Sequence, residues 1–186
     1  MRVFAVVVIG APGSGKTSVL TALHDALADD DVAHAVIEVE ALAWAHLPIS
    51  DAQSFQHLAS LCDAYKAAGC ELFIVGATAT SVDYLAGVVS AVEADEYLVV
   101  GLDADPRTLR KRIVAREPPE WSGLPQLLDA VDEIALTDPV ARGRRTPLFD
   151  RRSFAHGGGG ASSASAPRRP EGANSKPLSL RRVLNL

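Results

Sequence analysis

Cysteine is scarce in this sequence. There are 2 in 186 residues, Cys62 and Cys70, with seven residues between them. That spacing matches neither a metal knuckle nor a redox pair, so both read as reduced core thiols of a cytoplasmic protein. The 5 histidines show no ligand spacing, which argues against a structural metal. The apolar start, Val3 to Ile9, is far shorter than the roughly 20 residues that a membrane-spanning helix requires. No cleavage site follows it, so it reads as a buried strand and not as a signal peptide. Internal repeats are absent. Two functional classes are argued against by missing motifs. A GTPase would need an Asn-Lys-x-Asp guanine reader, and a transporter-type or AAA-type ATPase would need a longer domain and a strand ending in Asp-Glu.

What is present points to one α/β domain. With 48% apolar residues, the chain has enough material for a core. Strand and helix patterns alternate. Val3–Ile9, Ala33–Val39, Glu71–Val75 and Glu96–Leu102 read as strands. Helical patterns cover about 15–28, 52–68, 82–94, 106–116 and 124–136. Ser50-Asp51 and Asp105-Pro106 supply start signals for two of the helices, and Gly69 supplies a stop. This succession implies a parallel sheet with helices on both faces and ligands at the carboxyl ends of the strands. The pattern fails near Asp138, and no fifth strand is readable after the last helix.

Charge divides the chain at the same place. Residues 1–141 hold 8 Lys and Arg against 21 Asp and Glu, a balance of −13, whereas residues 142–186 hold 10 against 2, or +8. The expected organisation is therefore a nucleotide-binding domain over 1–137 and a disordered, basic Arg/Gly/Ala/Ser/Pro-rich tail over 138–186. GC-rich coding DNA read out of frame also yields such a composition. An acidic body argues against nucleic acid as its partner, except weakly through the tail.

The most informative stretch is Gly10-Ala11-Pro12-Gly13-Ser14-Gly15-Lys16-Thr17, followed by Ser18. It fits G-x-x-x-x-G-K-[ST] directly after a strand and before a helix. Glycines let the backbone curl so that successive N–H groups face a polyphosphate, and the helix start adds its positive dipole end. Lys16 brings a point charge for the β- and γ-phosphates, and the Thr17 hydroxyl is a magnesium ligand in such loops.

Three further groups can carry chemistry. Glu38 and Glu40 close the second strand, where alternation puts both on one face near the loop. Either they are solvated strand-end glutamates, or one holds Mg²⁺ through water while the other orients a substrate hydroxyl. Acids interrupting a buried strand favour the second reading. Arg107, Arg110, Lys111, Arg112 and Arg116 crowd one helix of an otherwise acidic body. Of these, Arg112 and Arg116, four apart on one face, suit a transferring phosphoryl group. Trp44, His46, His57, Tyr65 and Tyr84 are candidate pocket linings, each also compatible with ordinary packing. Trp121 sits where a flap could end.

Taken together, the Gly10–Thr17 loop, the acid-x-acid at strand two and the run Val99-Val-Gly-Leu-Asp-Ala-Asp-Pro106 with Leu109, Arg112 and Arg116 resemble the small P-loop kinases: shikimate, gluconate, adenylylsulfate and nucleoside monophosphate kinases. The resemblance spans residues 3 to about 130. It implies a five-stranded parallel sheet of the P-loop NTPase type in the order 2-3-1-4-5, with a lid over the phosphates. It also implies ATP and Mg²⁺ as cofactors, with Glu38 beside the metal, Glu40 at the phosphoryl acceptor and Arg112 and Arg116 as lid arginines. The relatives usually carry Asp-x-Asp at strand two, and many carry an acid where this chain has Val75-Gly76-Ala-Thr78. The expected activity is transfer of the γ-phosphoryl of Mg·ATP to a small-molecule hydroxyl or phosphate. The alternative is a non-catalytic ATP-binding module, such as a truncated kinase, whose basic tail engages an acidic partner or nucleic acid.

Overall fold

The structure, a computed structural model, describes residues 2–137 and 149–150. All of these fall in the first of two units of the chain, Met1–Asp150. The basic segment 138–186 lies outside the described residues, apart from Phe149 and Asp150.

Four parallel strands and one short antiparallel strand form a single sheet in the order β2-β3-β1-β4-β5. The strands are β1 Phe4–Gly10, β2 His34–Glu38, β3 Leu72–Ala77, β4 Glu96–Leu102 and β5 Phe149–Asp150. The helices are α1 Lys16–Asp29, α2 Val39–Leu42, α3 Asp51–Ala67, α4 Val82–Val92, α5 Pro106–Arg116 and α6 Leu124–Thr137. β1 is central, pairing with β3 on one side and β4 on the other. Every residue of it is buried, which accounts for its unbroken apolar run.

The two faces of β1 have separate partners because successive side chains alternate. Val3, Ala5, Val7 and Ile9 join a core with Leu58 and Cys62 of α3 and Val88 and Val92 of α4. Phe4, Val6 and Val8 are buried on the opposite face, and α1 lies against β1, β2 and β3. Leu20 of α1 closes onto β3 at Gly76, where an added Cβ would stand 2.6 Å from Leu20 Cδ1. A second core holds Ala11 of the phosphate loop against Leu109 and Ile113 of α5 and Val131 of α6.

Local chemistry sets the helix starts. Ser50 and Gln53 form a reciprocal capping box on α3: the Ser50 hydroxyl accepts from the Gln53 backbone N–H, and the Gln53 side chain accepts from the Ser50 N–H. Ser81 caps α4. Asp105 caps α5, with Pro106 in its first turn.

The sequence expectations and the fold differ in three places. The second strand ends at Glu38, and residues 39–42 coil into α2, so strand alternation is not what positions Glu40. β3 continues to Ala77, two residues beyond Val75, where the third strand was expected to end. The fifth position of the sheet is filled by two residues running antiparallel to β4, with Tyr97 opposite Phe149 and Glu96 opposite Asp150.

Candidate functional site

The carboxyl ends of β1, β2 and β3 meet around the start of α1, the crevice where open α/β sheets receive ligands. Backbone geometry at the loop requires its glycines. Gly13 and Gly15 have φ of 79° and 102°, in the left-handed region that side chains disfavour. Gly10 faces a different constraint, since a Cβ there would stand 2.7 Å from the Leu102 carbonyl oxygen across the β1–β4 pairing. Gly15 is the N-cap of α1 and has no side chain to satisfy the helix's first N–H groups. Lys16, Thr17 and Ser18 form the first turn of that helix. Ser14 donates its N–H to Ala11 O at 3.1 Å, closing the loop.

The lysine is folded into this loop. Lys16 Nζ donates to Gly10 O at 2.8 Å and to Ala11 O at 3.4 Å. Burial lowers its pKa from the ordinary lysine value, and the Arg116 charge acts in the same direction, while Glu40 and Glu38 oppose them. The charges of Glu40, Glu38 and Arg116 thus all act on Lys16.

Contacts fix the carboxylates individually. Thr17 Oγ1 donates to Glu38 Oε1 at 2.6 Å. Glu40, in the first turn of α2, accepts from the backbone N–H of Thr78 just past the end of β3. Glu38 at the end of β2 and Glu40 in α2 are thus held separately, the one by Thr17 of α1 and the other by the backbone just past β3. The hydroxyl and carboxylate oxygens of Thr17 and Glu38 are the hard donors that Mg²⁺ prefers, and their direct contact fits a metal held partly through water. Among the described residues there is no group of three or more His, Cys, Asp or Glu side chains that could hold a metal alone.

The arginines separate into distinct environments. Arg112 Nη1 reaches from α5 to Gly13 O at 3.2 Å, so the phosphate loop is clamped from behind by polar contact as well as by Leu109 and Ile113. Arg116, exposed at the end of α5, bonds Glu117 through Nε at 2.7 Å. Arg110 instead pairs with Asp132 of α6 at 2.5 Å. Arg107 and Lys111 are exposed.

The remaining candidates scatter. Tyr84 packs edge-on against Phe55, ring centroids 5.2 Å apart, and its pKa is raised to about 12 by burial first and then by Glu40 and Asp51. His57 Nδ1 donates to Leu42 O at 3.3 Å, joining α3 to α2. Trp44 is 93% exposed, His46 is exposed, and Tyr65 lies in the far turn of α3. Trp121 covers Gly123 in the turn between α5 and α6. Thr78 and Phe55 are the site residues that sequence reasoning missed. Position just after β3 was the only signal for the first, and Phe55 carried none.

Residues 6–132 match the AAA domain family. Among solved structures, a gluconokinase from Sinorhizobium meliloti 1021 is similar at 23% identity and a TM-score of 0.50, covering 77% of this chain and 81% of that one. A chain of the Pnkp1/Rnl/Hen1 RNA repair complex is similar at 16% identity and a TM-score of 0.53. That match covers 73% of this chain and 45% of the other. No curated protein sequence matches. The expectation that argued against AAA-type chains does not hold for this family, because the match is to a domain in which no described strand ends in Asp-Glu. With the phosphate loop between β1 and α1 and the strand order 2-3-1-4, the chain belongs to the AAA domain family and has the P-loop fold of the small kinases.

Proposed function

We propose that the protein is a cytoplasmic, ATP-dependent phosphotransferase that moves the γ-phosphoryl of Mg·ATP to a small-molecule acceptor, a hydroxyl or a phosphate. The supporting observation is the phosphate loop that holds Lys16, with the Thr17–Glu38 pair at the start of its helix. The triphosphate occupies the cradle of Gly10 to Ser18, where Lys16 exchanges its contacts with Gly10 O and Ala11 O for phosphate oxygens. Thr17 and Glu38 would hold Mg²⁺, which would supply positive charge to offset that of the phosphate oxygens.

The acceptor approaches from the β2 side, and Glu40 orients its reacting oxygen. For a hydroxyl acceptor, that oxygen forms the new bond to the γ-phosphorus as the bond to the β–γ bridging oxygen breaks. ADP leaves, and the hydroxyl proton passes to solvent. Lys16, Arg112 and Arg116 stabilise the charge on the moving group, and the rest of catalysis is positioning. In this reading residues 1–137 form the nucleotide-binding domain, to whose sheet β5 at Phe149–Asp150 is added, and the rest of 138–186 is a basic tail outside the chemistry.

A screen of the purified full chain with γ-labelled ATP and Mg²⁺ against hydroxyacids, sugars, nucleosides and monophosphates tests the assignment. Transfer of label to one acceptor class supports it. Tight ATP binding with no transfer, together with tail-dependent capture of an acidic partner, would instead identify a non-catalytic ATP-binding module.

A further inference from the structure

Two imidazoles converge outside the phosphate site. His24 stands within α1 and His34 opens β2, a separation of 10 residues that signals nothing in sequence. Their ring centroids lie 5.0 Å apart, and His24 Nδ1 is 2.8 Å from His34 Nε2. His34 Nδ1 lies 2.7 Å from Val32 O. A carbonyl oxygen only accepts, so Nδ1 carries the proton, and Nε2 of the neutral ring presents its lone pair to His24. A backbone carbonyl on the far nitrogen is the usual outer partner of a metal-ligating histidine, because it fixes both the tautomer and the ring orientation.

The turn between the two rings is itself held. Val32 donates its N–H to Leu27 O at 2.8 Å, and Asp31 donates to Ala28 O at 3.0 Å. The carbonyl that orients His34 is therefore anchored on the helix that carries His24. The separation of the nitrogens suits a shared ion. Metal–nitrogen bonds of about 2.0–2.1 Å put two neighbouring ligands roughly 2.9 Å apart at a right angle and roughly 3.3 Å apart at a tetrahedral one. The observed 2.8 Å is close to the right-angle bite, the geometry of tetragonal Ni²⁺ and Cu²⁺. Asp25, Asp29, Asp30 and Asp31 in the same stretch favour a cation nearby.

We propose that His24 and His34 form a binding site for a divalent transition-metal ion, Ni²⁺ or Cu²⁺ in preference to Zn²⁺, with His24 Nδ1 and His34 Nε2 as its ligands. The ion replaces the hydrogen bond between the rings: the proton on His24 Nδ1 leaves to solvent and Nε2 of the same ring takes one up, so both imidazoles stay neutral. No third His, Cys, Asp or Glu side chain joins them among the described residues, so water fills the other positions. The site is separate from the Thr17–Glu38 pair. Thr17 is about 10 Å from His24 along α1, and Glu38 is about 13 Å from His34 along β2. The oxygens of Thr17 and Glu38 are hard donors for Mg²⁺, whereas imidazole nitrogens select the softer ion. A bound ion clips α1 to the end of β2 away from Glu38 and stabilises the folded chain without entering the phosphate chemistry.

The test is titration calorimetry of Ni²⁺ and of Zn²⁺ into the full chain in excess Mg²⁺. One equivalent of Ni²⁺ should bind, tighter than Zn²⁺ by about threefold or more. His24→Gln and His34→Gln should each weaken Ni²⁺ by about tenfold or more, while His46→Gln and His156→Gln leave it within about twofold. Ni²⁺ should raise the urea midpoint of the parent and leave that of His24→Gln unmoved. Electron paramagnetic resonance of the Cu²⁺-loaded parent, which needs no substitution, should show two equatorial nitrogens. No binding by the parent, a single nitrogen in the Cu²⁺ spectrum, Ni²⁺ displaced by Mg²⁺, Zn²⁺ bound as tightly as Ni²⁺, or affinity untouched by His24→Gln would overturn the proposal and leave the pair a surface hydrogen bond.

Discussion

Replacing Ile113 by alanine tests whether the wall behind the phosphate loop determines nucleotide affinity. Ile113 is fully buried, and its Cγ1 would stand 3.3 Å from a Cβ placed on Gly13. The substitution removes three carbons. At about 0.8 kcal/mol per buried methylene the transfer loss is roughly 2.4 kcal/mol, and the cavity raises the expected cost to about 3–4 kcal/mol. The cavity opens directly behind Gly13, whose carbonyl Arg112 also holds. Partial collapse should draw the loop toward α5 and misalign its N–H groups, costing about 1.4 kcal/mol, or tenfold, in Mg·ATP affinity. Leu58→Ala is the control. Leu58 is equally buried but belongs to the core of α3 and α4, so it should lose a similar 2–5 kcal/mol of stability with ATP affinity unchanged. Urea unfolding and titration calorimetry give the two quantities. If Ile113→Ala unfolds more easily yet binds Mg·ATP within twofold of the parent, packing of α5 does not set the loop's shape and the reasoning is wrong.

Other expectations concern the charged groups. Lys16→Ala should cost about 3 kcal/mol or more in transition-state stabilisation, read as kcat/KM; near-normal turnover would remove the lysine from the mechanism. Arg116→Ala should lower kcat more than it weakens ATP binding, and the reverse pattern would make this residue a simple binding contact. The pH dependence follows from the direction of the Lys16 shift. Burial lowers its pKa and only the protonated form attracts phosphate, so ATP affinity should fall as pH rises, with a midpoint below the ordinary value of 10.5. A midpoint at or above 10.5 would mean the ammonium is not desolvated. For folding the sign is opposite: the buried cation opposes the fold below its lowered pKa, and this penalty is relieved as pH rises toward the unfolded value.

The phosphate loop was legible because its requirements are local. A strand, glycines with positive φ, a lysine and a helix start all fall within Phe4 to Thr17. β1 and β3 were legible because burial on both faces leaves uninterrupted apolar runs, whereas β2 and β4 are only partly buried. Glu40 was selected for a reason the fold does not share. A four-residue helix is too short to show periodicity, so the sequence read as continuing strand where α2 begins. β5 escaped notice for the same reason, since two residues cannot display alternation. The bond from Arg112 to Gly13 joins residues 99 apart, and Glu40 meets the Thr78 N–H over a separation of 38. Such long-range contacts leave no spacing signal. Trp44, chosen as a pocket lining for its type, stands in solvent at 93% exposure because Ala43 to Ser50 is a surface connection between α2 and α3.

The most direct test of the central claim is equilibrium binding of ATP to the full chain with and without Mg²⁺, repeated with Lys16→Ala. The account predicts metal-dependent binding by the parent and its loss in the variant. Absence of ATP binding, or binding indifferent to both magnesium and Lys16, would contradict it.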